Sequence, residues 1–152
     1  DVVLVLIGYG LFIDTLKQRA KELGVSDRVY FYGQVEPEEM LELTAEASIG
    51  VIPYFGVDEN NYYCSPNKLF EFVMAGTPLI CNKLPFLERV LDKYGCGITC
   101  DLKNSTELSS AIGKALDPKR LERLKVGIAN AQKELNWSVE EQKLFSIYAK
   151  VV

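Results

Sequence analysis

Short apolar runs alternate along this chain with stretches whose apolar positions recur every three or four residues. The first run, Val2–Ile7, is continuous, rich in β-branched residues and ended by Gly8 and Gly10. That is the pattern of a buried parallel strand. A helical stretch to about Leu23 follows, then a turn at Gly24 and a strand over Arg28–Tyr32 that Gly33 closes. Glu36-Pro37-Glu38-Glu39 places acids in the first turn of the next helix. The segment Ala47–Pro53 predicts a third strand, and Phe55–Tyr63, rich in Asn and Tyr, a mobile loop. Beyond it the pattern predicts a helix over Ser65–Ala75, a strand over Pro78–Cys81, a helix over Phe86–Tyr94 and a strand over Gly97–Thr99. Three helices close the chain, over about Ser105–Leu116, Pro118–Leu135 and Val139–Lys150, the last announced by Ser138 and Glu141 in capping-box spacing.

Strands alternating with helices predict an α/β, Rossmann-like three-layer sandwich with a mainly parallel sheet of about five strands. Ligands of such sheets sit outside the carboxyl ends of the strands. The loops after Ile7, Tyr32, Pro53 and Cys81 are therefore the expected walls of a site.

Composition narrows the chemistry. With 152 residues, 48% of them hydrophobic and 25% charged, the chain fits one soluble domain with a proper core. A net charge of −4 argues against a broad nucleic-acid surface, so an anionic ligand must be held locally. There is no histidine, and Cys64, Cys81, Cys96 and Cys100 form no C-x-x-C pair. On one strand face Cys96 and Cys100 would stand roughly 13 Å apart, too far to bridge. This excludes a Ser-His or Cys-His pair within the chain, speaks against metal binding, and suits a reduced, cytoplasmic protein. No apolar run approaches the roughly 20 residues that span a bilayer. The chain opens in a strand without an initiator Met, and the expectation is an excised piece of something larger.

The richest segment is Cys64-Ser-Pro-Asn-Lys-Leu-Phe-Glu-Phe-Val-Met-Ala-Gly76. Ser65 suits a helix N-cap, Pro66 the first helical position and Gly76 the stop. The helix start then offers free N–H groups near Asn67 and Lys68 with the positive dipole end behind them. Lys68 and Glu71 fall one turn apart on one face. They read either as a solvated ion pair or as a cation for phosphate beside an acceptor for a sugar hydroxyl. Tyr54, Phe55, Tyr62 and Tyr63 flank the segment and suit either stacking on a sugar or base or ordinary loop packing. Gly8-Tyr9-Gly10 lacks the third glycine of a dinucleotide fingerprint, since Ile13 stands there, and reads first as a tight strand-to-helix turn.

The order of these pieces resembles the C-terminal, donor-binding domain of retaining GT-B glycosyltransferases, nucleotide-sugar-dependent enzymes that build surface polysaccharides. The resemblance runs through Leu4–Gly8, Arg28–Val35, Ala47–Pro53, Ser65–Ile80 and Trp137-Ser138. It implies that Glu71 hydrogen-bonds the ribose, that the backbone at Asn67 and Lys68 holds the diphosphate, and that Gly33-Gln34-Val35 meets the base. Ser65 and Pro66 lie where the donor sugar approaches, and Gly8, Leu69 and Tyr63 complete the expected substrate-binding set. Tyr63 stands where the family often carries the first of two glutamates. The family's domain also begins with a further strand and helix, and an N-terminal domain binds the acceptor.

The resemblance thus implies the donor-nucleotide half, residues 1–152, of a retaining hexosyltransferase that takes a UDP- or GDP-sugar and needs no cofactor. The parent enzyme would be cytoplasmic or peripheral at the inner membrane face, and the fragment alone is expected to be inactive. Without the first strand, Val2–Ile7 is expected to pair directly with Ala47–Pro53 or to be completed by another chain, as in a homo-oligomer. Two other readings stand beside this one. A non-catalytic Rossmann-like nucleotide or phosphometabolite module shares the sheet, whereas a sugar-nucleotide epimerase would need Tyr-x-x-x-Lys, and Tyr63 and Lys68 are one residue too far apart.

Overall fold

Among the described residues five short strands form where the apolar runs predict them, and every pairing between them is parallel. The computed structural model describes residues 2–150. It divides into two compact units, one running to Met40 and the other starting at Leu41.

In the first unit, β1 (Leu4–Ile7) leads through Gly8 and Gly10 into α1 (Ile13–Glu22). A 3-10 turn (Ser26–Arg28) then enters β2 (Val29–Gly33). The strands pair in the register Leu4↔Val29 and Leu6↔Phe31, with a shift between Leu6 and Ile7. Leu4 and Val5 remain exposed in this two-stranded sheet, unlike the strands of a parallel sheet covered on both faces. The helix α2 (Pro37–Ala45) crosses from the first unit into the second.

The second unit is built on β3 (Gly50–Ile52), β4 (Leu79–Cys81) and β5 (Gly97–Thr99), in the order β3-β4-β5. Between and after them come α3 (Glu59–Tyr63), α4 (Asn67–Ala75), α5 (Pro85–Tyr94), α6 (Ser105–Ala115), α7 (Pro118–Glu134) and α8 (Trp137–Tyr148). Alternation along β4 makes the layers: Leu79 and Cys81 enter one core with Leu69, Val73, Leu87 and Ile128, while Ile80 enters another with Cys100, Ala111, Ala115 and Leu124. This is the α/β, three-layer arrangement expected from the sequence.

Two expectations are corrected. The predicted loop over Phe55–Tyr63 contains α3, which Asp58 initiates by accepting the Asn61 N–H at 2.7 Å. The last helix starts earlier than Ser138, because Asn136 is its cap and accepts from the Val139 N–H at 3.1 Å. Asn136 also donates from Nδ2 to the Gln132 carbonyl, which ties the end of α7 to the start of α8.

Candidate functional site

α4 is anchored by one face and presents the other. Leu69 and Val73 are fully buried, and the Phe72 ring lies against Gly50 of β3 so closely that a Cβ there would meet it at 2.5 Å. With positions 69, 72 and 73 committed inward, helical spacing leaves Asn67, Lys68 and Glu71 on the outer side. The helix ends in a left-handed Gly76, φ 75°, whose neighbour Thr77 returns an N–H to the Phe72 carbonyl. That is the stop the sequence predicts.

The start differs by one residue. Pro66, buried, occupies the N-cap position, so Ser65 stays exposed and caps nothing with its side chain. The Leu69 N–H closes on the Pro66 carbonyl at 3.0 Å, so Leu69 serves the core and the helix start. The Asn67 and Lys68 amides have no acceptor among the described residues. They are the orphan donors that a helix start offers an anion.

Lys68 Nζ and Glu71 Oε2 meet at 2.6 Å, with their side chains 50% and 42% exposed. An exposed i,i+3 pair of this kind contributes only a few tenths of a kcal/mol. Either partner is therefore available to a ligand at little cost to the fold. Tyr63 is 69% exposed and packs edge-on against Tyr62 with ring centroids 4.9 Å apart.

The segment leading into α4 is ordered by Asp58, whose carboxylate also receives both Asn61 Nδ2 contacts at 2.9 Å. Hydrogen bonds from the Asn61 backbone and then its side chain hold the Asp58 carboxyl below its usual value of 3.8. A depressed folded-state value means that the cap stabilises α3 above about pH 4 and is lost as pH falls through the folded value. Carboxyl NMR should therefore place the Asp58 midpoint below 3.8, with the Asn61 amide signal shifting at the same pH. A midpoint at or above 3.8 would contradict the capping geometry.

The carboxyl ends of β3, β4 and β5 surround a cavity of about 600 Å³ whose walls include Phe55, Tyr62, Asn82, Lys83, Lys103 and Glu107. Asn82, only 7% exposed, braces it by donating to the Tyr54 carbonyl and accepting the Leu102 N–H at 2.9 Å. One side chain thus joins the loops after all three strands. Lys103 lies over the Phe55 ring at 5.2 Å, and Lys83 approaches Glu107 at 3.9 Å. The loops after Pro53 and Cys81 are walls that strand topology predicts. The wall after β5 and the bracing Asn82 were missed, and no local pattern marks them.

In the first unit the Gly8 N–H donates to the Gly33 carbonyl at 2.7 Å, joining the carboxyl ends of β1 and β2. Both glycines have positive φ, 131° and 90°, and open space where a Cβ would stand. Gln34 is exposed and Val35 half-buried beside this rim. The predicted residues therefore fall into two groups: Gly8 with Gly33–Val35, and Tyr63–Leu69 with Glu71.

All four cysteines are free thiols. Burial pushes Cys81 up to about 12 and Cys96 to about 11, and raises Cys100 as well. These three are protonated core groups, not nucleophiles. Among the described residues no cluster of metal-binding side chains forms, and no helix is long and apolar enough to cross a membrane.

Comparison with known proteins follows the same lines. Over 99% of its length the chain is 26% identical to phosphatidyl-myo-inositol mannosyltransferase of Mycobacterium leprae, and over 86% it is 27% identical to MMP alpha-(1->4)-mannosyltransferase of Mycolicibacterium hassiacum. It spans 38% and 31% of the length of these relatives. Sucrose-phosphate synthase from Thermosynechococcus elongatus superposes with a TM-score of 0.76 at 21% identity, covering 97% of this chain and 38% of that one. HepE of Anabaena, solved in complex with UDP, also gives 0.76, at 18% identity over 97% of this chain and 41% of that one. These structural likenesses are of fold, the GT-B one. The family model for glycosyl transferases group 1 matches residues 1–134, and the chain belongs to that family.

Proposed function

We propose that this chain is the donor-nucleotide-binding part of an enzyme that transfers a sugar from a nucleoside diphosphate sugar to a hydroxyl acceptor. The observation that carries the reading is the start of α4, where two orphan amides, a cation and a carboxylate share one turn. The Asn67 and Lys68 amides hold the diphosphate, and Lys68 Nζ neutralises it. Glu71, released from Lys68, accepts from a ribose hydroxyl. Donors aimed at the diphosphate stabilise the charge that develops as the sugar–phosphate bond breaks, which is the contribution a leaving-group site makes to catalysis. Ser65 and Pro66 face the donor sugar, with Tyr63 beside them.

HepE's complexes with UDP and with UDP-glucose support a uridine nucleotide as the first ligand to try. Acceptor recognition and retention of anomeric configuration belong to the whole enzyme, of which an N-terminal domain is the other half. Calorimetric titration of the chain with UDP, GDP and ADP tests the reading. One of them should bind, while the chain by itself transfers no labelled sugar. Absence of binding by all three, or turnover by this chain, contradicts it.

A further inference from the structure

A second cavity, of about 590 Å³, opens at the other end of the same sheet. Gly97 is the first residue of β5, and Asp117 caps α7, so this cavity lies at the amino ends of the strands. The first cavity and the α4 loop lie at the carboxyl ends. Lys119, Arg120 and Arg123 line it from the first two turns of α7. Their spacing of three and four residues places the three cations along one side of the helix.

None of the three makes an ion pair among the described residues, although the chain carries more acids than bases. Glu122 is their neighbour on α7 and pairs with none of them. The one acid lining the cavity is Asp117, and its Oδ1 is already used to cap the Arg120 N–H at 3.0 Å. Three cations thus face one committed carboxylate.

Gly95, Gly97 and Leu124 complete the lining. The Gly95 N–H already donates to the Leu91 carbonyl, and the Gly95 carbonyl lies against Gly127, so recognition of an anion falls to the three cationic side chains. Gly97 is likewise packed, since a Cβ there would meet the Leu79 carbonyl oxygen at 2.5 Å. Two guanidinium forks beside an ammonium match the oxygens of a phosphate better than a single carboxylate.

We propose that this cavity is a second anion site, separate from the nucleotide site, that takes a phosphate group through Lys119, Arg120 and Arg123. The phosphate is that of a soluble phosphorylated compound or of an anionic lipid headgroup, and the same side chains serve both. The site does not depend on the reading of α4.

Amide NMR of the chain titrated with pyrophosphate tests it. Saturable shifts are expected at Gly95, Gly97 and residues 119–124, weakening with salt. They should persist in Glu71→Ala, which alters the nucleotide site, and weaken at least about tenfold in the double variant Arg120→Gln, Arg123→Gln. Both arginines are exposed, so the variant should melt like the wild type. Vesicles of phosphatidylcholine with and without phosphatidylglycerol separate the sources. Co-sedimentation with the anionic vesicles, lost in the double variant, supports a lipid headgroup. Pyrophosphate binding without co-sedimentation supports a soluble ligand. Pyrophosphate that leaves these amides unshifted, or that binds the double variant as tightly as the wild type, overturns the proposal.

Discussion

Glu71→Ala is expected to weaken binding of the preferred nucleoside diphosphate by about ten- to a hundredfold while leaving the melting temperature almost unchanged. The size of the binding effect follows from losing a charged acceptor, a hydrogen bond worth about 1.5–3 kcal/mol. The small stability effect follows from geometry. The Glu71 side chain is 42% exposed and its ion-pair partner is Lys68, at 2.6 Å. Removing an exposed i,i+3 pair costs a few tenths of a kcal/mol. Asp58→Ala is the control, since it removes the α3 cap and should leave nucleotide affinity near that of the wild type. Calorimetry and melting on the same samples separate the two effects. Equal affinity in wild type and Glu71→Ala would remove Glu71 from the site.

Gly127→Ala should show the largest loss of stability among single-methyl additions. In a helix interior this change ordinarily gains about 1 kcal/mol. Here the new Cβ would stand 2.4 Å from the Gly95 carbonyl oxygen and 2.6 Å from that of Tyr94. Those are backbone atoms at the end of α5, so they cannot rotate away and α7 must withdraw. Ile128 and Ala131 would leave the core with it. Overpacking of this kind outweighs the propensity gain, for a net cost of about 2–3 kcal/mol and a fall in melting temperature of roughly 5–10 °C. Gly113 of α6 supplies the opposite sign, because a Cβ there meets nothing within 4 Å. Gly113→Ala should stabilise by up to about 1 kcal/mol. Circular dichroism melts of the two variants check the pair, and a Gly127→Ala protein as stable as wild type would show that α5 and α7 are less closely packed than described.

Sequence pattern carried the elements well where one periodicity dominated. β5 falls over Gly97–Thr99 as predicted, and α4 and α7 end within a residue or two of their expected limits. It failed where two residues compete for one role. Ser65 and Pro66 both suit a helix start, and the burial of Pro66 settles the choice. Ser138 fits a capping box, yet Asn136 caps because it also reaches back to Gln132. α3 was hidden by Asn60 and Asn61, poor helix formers that the Asp58 cap holds in a single turn or so.

The local geometry of the candidate site was legible to the same degree. Lys68 and Glu71 stand one turn apart as their spacing requires, and the Asn67 and Lys68 amides are free as a helix start requires. Leu69 belongs to the core, which its place in the apolar stripe already implies. Asn82 and Lys103 reach the first cavity only because β4 and β5 pair in parallel register, with Cys81 opposite Thr99. The unpaired cations of α7 were equally illegible. A charge run predicts a solvated face, and only packing reveals which charges lack partners.

The most direct test of the central claim is an amide map of the chain saturated with UDP, or with GDP or ADP where one of these binds more tightly. The account predicts the largest shifts at Asn67 and Lys68, the orphan donors of α4, with Glu71 also moving. Saturable binding that leaves Asn67 and Lys68 unshifted would contradict it.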